Sequence, residues 1–280
     1  MDAREFRYEA RDFTRARTLI FALAGISLAD GKQDLVYSRL SRRARAMRLD
    51  SIKEYLDHIE PQPRESADVQ DFINALTTNL TAFFRESHHF DHLREFLRRP
   101  SAPATQLIWC SAASTGEEPY SIAIAACEAF QSEHPPVRVI CTDIDTQALE
   151  QGRVGVYADQ RIQTLDAARQ RRFFLRGNGP NQGRVRVKPH LQALLDFQPW
   201  NLLSETTPPW RDCDVIFCRN VMIYFDKPTQ LKVLTTLRRS LKPDGVMYAG
   251  HSESFFHAAH LFRNLGRTIY VPAAAQALTA

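Results

Sequence analysis

The chain has 280 residues, 44% apolar and 24% charged, with a formal net charge of +4. That length can bury a sizeable core in one or two domains, and the composition is that of an ordinary globular protein. No run of about 18 apolar residues occurs, so no membrane span or direct membrane insertion is expected, and a net charge this small does not by itself mark a nucleic-acid binder.

Met1-Asp-Ala-Arg-Glu-Phe-Arg7 has no apolar stretch behind its charges, so no secretory signal is expected. The five cysteines (Cys110, Cys127, Cys141, Cys213 and Cys218) contain no C-x-x-C pair, and four lie in or beside apolar runs. That usage fits reduced core residues in a cytoplasmic protein.

Residues 1–76 read as helical. Leu19, Ile20, Leu23 and Ile26 recur at helical spacing, as do Val36, Leu40, Ala44 and Met47, with Gly31 marking a turn between them. Ile52, Tyr55, Leu56 and Ile59 predict a short helix, Glu60 to Ser66 a Pro-punctuated loop, and Asp68 to Leu80 a further helix through Val69, Phe72, Ile73 and Leu76. No strand signal occurs in this region. From about residue 105 short apolar runs alternate with helical patterns: Gln106–Cys110 then Tyr120–Phe130, Val137–Thr142 then Thr146–Gln151, Val215–Cys218 then Thr229–Leu241, and finally Val246–Ala249. This alternation predicts a parallel sheet flanked by helices. Arg267 to Pro272 reads as a late strand, and the Ala-rich tail after Pro272 as frayed.

One segment interrupts the alternation. Arg172 to Lys188 reads as a basic hairpin whose second arm alternates Arg184, Arg186 and Lys188 against Val185 and Val187, with a turn-rich loop at Gly177 to Gly183. It is expected to lie outside the main sheet.

The stretch Ile108-Trp-Cys-Ser-Ala-Ala-Ser-Thr-Gly-Glu-Glu-Pro-Tyr-Ser121 has the outline of a nucleotide-binding strand-to-helix turn. Its single glycine, Gly116, and its acids, Glu117 and Glu118, do not suit a phosphate, which excludes both the G-x-G-x-x-G and the Gly-Lys-Ser/Thr loops. A nucleoside ligand without phosphate and with net positive charge fits better: S-adenosylmethionine, with a sulfonium, an ammonium and one carboxylate. A turn carboxylate would attract the ammonium. Asp143, at the end of the next strand in Cys141-Thr-Asp-Ile-Asp145, suits a ribose diol. The plainer reading of Glu117 and Glu118, a favourable charge at a helix N-terminus, leaves Asp143 and the missing phosphate signature unexplained.

These residues resemble the chemotaxis receptor methyltransferases, the CheR family, from about residue 13 to about 271. The resemblance rests on "NALTTNLTAFFRESHHF" at 74–90, "AASTGEEPYSIAI" at 112–124, "DIDTQALE" at 143–150, "FCRNVMIYFDK" at 217–227 and "LKPDGVMYAGHSES" at 241–254. It implies an α/β fold: a Rossmann-like class I methyltransferase sheet flanked by helices, with an N-terminal all-α domain (1–76) and a methyltransferase domain (77–280, including a linker). It also implies a small antiparallel β-subdomain inserted at about 160–190. It implies S-adenosylmethionine as cofactor, S-adenosylhomocysteine as product, and methylation of glutamates on chemoreceptors. Cofactor contacts are implied at Asn79, Thr81, Arg85, Glu118, Asp143, Asn201, Leu202, Arg219 and Asn220. Trp200 and the turn at 204–211 depart from the family pattern.

A glutamate acceptor, with an unperturbed pKa of roughly 4.3, is already ionised at neutral pH. No general base is required, and the lack of a Ser/His/Asp or Cys/His set is no obstacle. Arg85 can grip a carboxylate through its guanidinium fork. The resemblance implies that Tyr224 lies near the transferred methyl; these two are the candidate catalytic residues.

Leu35 to Arg48 carries five arginines (Arg39, Arg42, Arg43, Arg45 and Arg48) and no acid. With no acid at i±3 or i±4 they form a candidate docking face for an acidic receptor. In some family members the β-subdomain binds the receptor's C-terminal tail at a sheet edge; the matching positions are Arg176, Gly177, Gly179, Gly183 and Arg186. The protein is expected to act as a cytoplasmic monomer recruited to membrane-bound receptor arrays, without nucleic acid. His88 and His92 have imidazole spacing for zinc but no H-E-x-x-H and no nearby Cys, so no metal is expected. Two rivals, a nucleic-acid methyltransferase and a non-catalytic module that binds S-adenosylmethionine, lack respectively interleaved aromatics for base stacking and a reason to retain both Arg85 and Tyr224.

Overall fold

The structure is a computed structural model that describes residues 5–273, so the tail beyond Ala273 lies outside the described residues. Four helices open the chain: α1 (Ala10–Ala24), α2 (Gln33–Ala46), α3 (Ile52–Ile59) and α4 (Ala67–Leu76). Gly25, in the left-handed region at φ 68°, stops α1, while the Ser51 and Ser66 side chains accept the backbone N–H of Glu54 and Val69 to start α3 and α4. The periodic residues Ile20, Val36, Leu40, Tyr55, Leu56, Phe72 and Leu76 meet in one core. Helix α4 ends four residues short of the predicted Leu80. Thr77 is extended (φ −69°, ψ 156°) and turns its hydroxyl back to the Asn74 carbonyl, freeing 77–87 as an irregular segment.

The rest is α5 (His88–Leu97), β1 (Gln106–Cys110), α6 (Glu117–Phe130), β2 (Val137–Asp143), α7 (Thr146–Val154), β3 (Val156–Ala158), α8 (Ala167–Phe173), β4 (Phe174–Arg176), β5 (Arg184–Val187), α9 (Pro189–Gln192), β6 (Leu195–Pro199), β7 (Cys213–Phe217), α10 (Lys227–Ser240), β8 (Leu241–Tyr248), β9 (Phe262–Gly266) and β10 (Ile269–Pro272). Seven strands form one sheet in the order β6-β2-β1-β7-β8-β10-β9. The first five are mutually parallel; β10 runs antiparallel between β8 and β9.

Strand alternation divides the core. Trp109, Ile140, Ile216 and Met247 face the α10 side. Their neighbours Ile108, Cys110, Val139, Val215 and Phe217 face α5 and α6. Helix α6 is buried on nearly every side, which explains its run of alanines. All five cysteines are free and buried.

The basic hairpin forms as β4 and β5, with Val185 and Val187 buried and Arg184 and Arg186 exposed. A third strand, β3, pairs with the other side of β5, so this subdomain sheet starts earlier in the chain than about residue 160, and β5 is its centre.

Candidate active site

Strand order reverses between β1 and β7: the chain fills β1, β2 and β6 to one side, then β7 and β8 to the other. Open α/β sheets bind ligands beyond the carboxyl ends of their strands at such a reversal. A cavity of about 430 Å³ opens there, within the roughly 300–1,000 Å³ of small-molecule sites. Asn79, Thr81, Arg85, Glu118, Asp143, Asn201, Leu202, Arg219, Asn220 and Tyr224 all line it. The structure therefore brings together every residue proposed for cofactor binding and catalysis, from five separate stretches of chain.

The turn after β1 explains its own composition. Gly116 has φ 97°, and a Cβ there would stand 2.7 Å from both the Gly152 Cα and the Tyr157 hydroxyl. Glycine is thus demanded by packing against α7 and β3, not by a phosphate. The two acids part company. Glu117 is buried away from the cavity, ion-paired with Arg161, and accepts a 2.6 Å hydrogen bond from the Thr115 hydroxyl. Arg161 also donates to the Thr81 carbonyl at 2.8 Å, tying the turn to the 77–87 segment. Glu118 faces the cavity, where Arg219 donates to one oxygen at 2.5 Å and the Cys110 thiol to the other at 3.4 Å. Burial pushes the Glu118 carboxyl up, and Arg219 opposes the shift.

Arg219 is the hub. It contacts Glu118, lies 3.3 Å from Glu86, donates to the Arg85 carbonyl, and stands 5.7 Å from the Phe90 ring centroid. Its side chain is fully buried, and its Nε has no partner. Burial alone would raise Glu86, but Arg219 and His251 hold it down to about 2. Because Glu86 is a second counter-ion, Glu118 can serve an incoming ammonium without leaving Arg219 unpaired.

At the end of β2, Asp143 accepts the Ser114 N–H at 2.7 Å and the Asp145 N–H at 2.9 Å, one on each oxygen. Each oxygen keeps a lone pair for a ribose hydroxyl. Burial raises the Asp143 carboxyl to about 6 against those two N–H donors. Asp145 caps α7 and also accepts from Thr77 and Asn79, each at 2.6 Å. Asn79 therefore anchors the 77–87 segment to the strand end.

On the far side Trp200 packs edge-on against Trp210, which packs against Trp109, each pair at 5.3 Å between centroids. The departure at Trp200 is thus part of an apolar wall continued by Leu202. Asn201 donates to the Leu23 carbonyl at 2.8 Å, and the Tyr224 carbonyl accepts the Ser27 N–H at 2.8 Å, so the helical domain helps close the cavity. Asn220 is held at φ 57° by buried Glu253, which accepts the N–H of Asn220 (2.9 Å) and Met222 (2.8 Å).

These residues fit the cofactor chemistry: a buried carboxylate for an ammonium, a strand-end carboxylate for a diol, and an apolar wall for a purine. The lining is not uniformly acidic, however. Lys32, Arg39, Arg85 and Arg219 outnumber Glu118 and Asp143, so the two turn acids alone understate the positive charge available to carboxylates.

The arginine row on α2 is less free than its local sequence implies. Arg43 pairs with Asp71 and Arg45 with Glu5, and Arg39 donates to the Thr77 carbonyl and lines the cavity. Arg42 and Arg48 are exposed. On the β-subdomain, Arg176 donates to Gln170 at 2.7 Å, and a Cβ on Gly177 would lie 2.0 Å from the Asn181 carbonyl oxygen. Gly179 and Gly183 have φ of 53° and 80°. None of these residues, nor Arg186, lines the cavity. Since β5 is the central strand, an added peptide strand would have to pair with β3 or β4. His88 bonds the Arg267 carbonyl and His92 the Tyr248 hydroxyl.

A reversal-point cavity on this sheet, with these donors, fits an S-adenosylmethionine-dependent methyltransferase, and the similar proteins bear out that class. Residues 79–271 match the model of the CheR methyltransferase SAM binding domain, and residues 11–77 that of the CheR methyltransferase all-alpha domain. "Chemotaxis protein methyltransferase 2" of Pseudomonas aeruginosa is 52% identical over 270 residues, covering 96% of this chain and 95% of that protein. The "Chemotaxis protein methyltransferase" of Klebsiella aerogenes is 48% identical and that of Escherichia coli 46%; each alignment covers 92% of this chain, and 88% and 89% of those proteins respectively. The chain belongs to the CheR methyltransferase family.

Proposed function

We propose that the protein methylates glutamate side chains of chemoreceptors, forming glutamate methyl esters for sensory adaptation. The observation that carries this reading is the pairing, in one cavity, of buried Glu118 with the cations Arg39 and Arg85 nearby. The first suits the cofactor's ammonium; the second suits an ionised acceptor. The names of the relatives support a chemotaxis role.

S-adenosylmethionine would be held by Asn79, Glu118, Asp143, Asn201 and Arg219 among the cavity lining, and when bound would supply an electrophilic methyl group on a sulfonium whose leaving group is a neutral thioether. The protein's own task is alignment, which can supply about 7–11 kcal/mol in favourable cases. Arg85, whose guanidinium already donates to the Leu80 carbonyl at 3.0 Å, holds a carboxylate by its remaining donors. Tyr224 orients the acceptor oxygen with its phenol. No general base is used.

The acceptor lies on the cytoplasmic part of a receptor, and in this reading the enzyme is a cytoplasmic monomer recruited to receptor arrays. Arg39, Arg42 and Arg48 steer the acidic partner, whereas Arg43 and Arg45, paired with Asp71 and Glu5, add little net field. Arg176, Gly177, Gly179, Gly183 and Arg186 shape the β-subdomain for a receptor tail peptide, where a receptor has one.

The test is methyl transfer from radiolabelled cofactor to purified chemoreceptor cytoplasmic fragments, with RNA and DNA as parallel acceptors. Alkali-labile label on the receptor supports the reading. Label on nucleic acid alone, or on nothing, overturns it.

A further inference from the structure

Leu80 is 77% exposed and Ile223 53% exposed, and both line the mouth of the cavity that holds Arg85 and Tyr224. They are two of the seven large apolar side chains exposed among the described residues. Neither is an accident of a loose loop. Leu80 is held where its carbonyl accepts the Arg85 guanidinium at 3.0 Å, one residue after Asn79, whose side-chain amide donates to Asp145 at 2.6 Å. Ile223 sits in the short 3-10 turn Met222–Tyr224, whose start is fixed by Glu253 at 2.8 Å from the Met222 N–H. The Leu80 carbonyl is held by Arg85 and the turn of Ile223 by buried Glu253, while both side chains stand in solvent. A pinned, solvated apolar side chain beside a reaction cavity marks a contact surface rather than unfilled core.

The same mouth receives Lys32 and Arg39 from the helical domain. It therefore offers two chemistries at once, cationic from one domain and apolar from the other.

We infer that Leu80 and Ile223 form an apolar rim that seats apolar side chains flanking the target carboxylate of the acceptor protein, so that the substrate is chosen as an amphipathic segment, acidic toward Lys32 and Arg39 and apolar toward Leu80 and Ile223. The occupant is the acceptor protein rather than a second copy of this chain, because the rim is continuous with the cavity that the acceptor carboxylate must enter. This inference rests on the proposed carboxylate methylation. Burial of the two side chains lowers the acceptor's KM without touching the reacting atoms.

The experiment compares wild type with Leu80→Ser, Ile223→Ser and the double variant, using a chemoreceptor cytoplasmic fragment and radiolabelled cofactor. Removing two apolar contacts should raise the acceptor KM about tenfold or more in the double variant, with kcat and S-adenosylhomocysteine affinity retained. Replacing apolar residues beside the methylated glutamate by Ser should raise KM for wild type but add little for the double variant, since the two changes remove one contact. An unchanged acceptor KM in the double variant, with the wild type active on the fragment, overturns the rim and leaves carboxylate methylation standing. A wild type that labels no carboxylate on the fragment overturns the function itself. A loss of kcat with KM unchanged would also overturn the rim, because it would put these side chains in alignment rather than selection.

Discussion

Replacing Glu118 by Gln tests the cofactor reading at its most buried carboxylate. The substitution keeps shape and removes one negative charge from a side chain that contacts Arg219 and Cys110. Folding should survive, because Arg219 retains Glu86 at 3.3 Å and the Arg85 carbonyl. The usual cost of about 3–5 kcal/mol for stranding a buried ion is therefore not incurred in full, and relief of a carboxylate held against burial offsets part of it. What is lost is a charge-assisted hydrogen bond to the cofactor's ammonium, worth about 1.5–3 kcal/mol. That converts to a roughly 10- to 150-fold weaker affinity. Titration calorimetry with S-adenosylhomocysteine reads it directly, with a thermal melt as the folding control. An affinity within about twofold of wild type, in a variant that melts normally, would refute the assignment of Glu118 to the ammonium.

Asp143 predicts a pH dependence. Its folded pKa is raised to about 6, so between its unfolded value and about 6 the folded state holds the extra proton, and stability from this group falls as pH rises through that window. Diol binding needs the opposite, ionised form, so S-adenosylhomocysteine affinity should fall as pH drops below about 6, by at most tenfold per unit, and Asp143→Asn should flatten that step. Arg161→Ala leaves Glu117 with only the Thr115 hydroxyl and cuts the link to Thr81; urea denaturation should show a loss of about 1–3 kcal/mol, and an unchanged midpoint would remove Arg161 from the site's scaffold. Arg85→Ala should abolish most methyl transfer, and Tyr224→Phe should slow turnover while cofactor binding largely survives; wild-type rates in both would remove their roles. Raising salt should weaken receptor methylation more than cofactor affinity, since exposed Arg42 and Arg48 are screened and buried Glu118 is not; equal sensitivity would count against docking through α2.

Local patterns made the architecture readable, and long-range pairings hid the rest. The apolar runs at Gln106–Cys110 and Val137–Thr142 announced β1 and β2 because central parallel strands are buried on both faces. Leu195–Pro199 gave no such signal as an edge strand with mixed burial, and Val156–Ala158 is three residues long and is a strand only because β5 lies beside it. The acid pair at 117–118 correctly excluded phosphate, yet nothing local says that Glu117 is spoken for by Arg161, 44 positions away. The α2 arginines likewise have no acid at i±3 or i±4 because their partners are distant in sequence: Arg43 pairs with Asp71 on α4, and Arg45 with Glu5 before α1. Glu86 and Glu253 lay inside the family-like motifs, but their work on Arg219 and on the Asn220–Met222 backbone is visible only in three dimensions.

The central claim is that an already ionised carboxylate from another protein takes the methyl group. Its most direct test is to digest a receptor fragment labelled by this enzyme and locate the label by mass spectrometry. The account predicts methyl esters on glutamate side chains, lost on mild alkaline treatment and absent when those glutamates are replaced by alanine. Label that resists alkali and maps to nitrogen or sulfur atoms would contradict it.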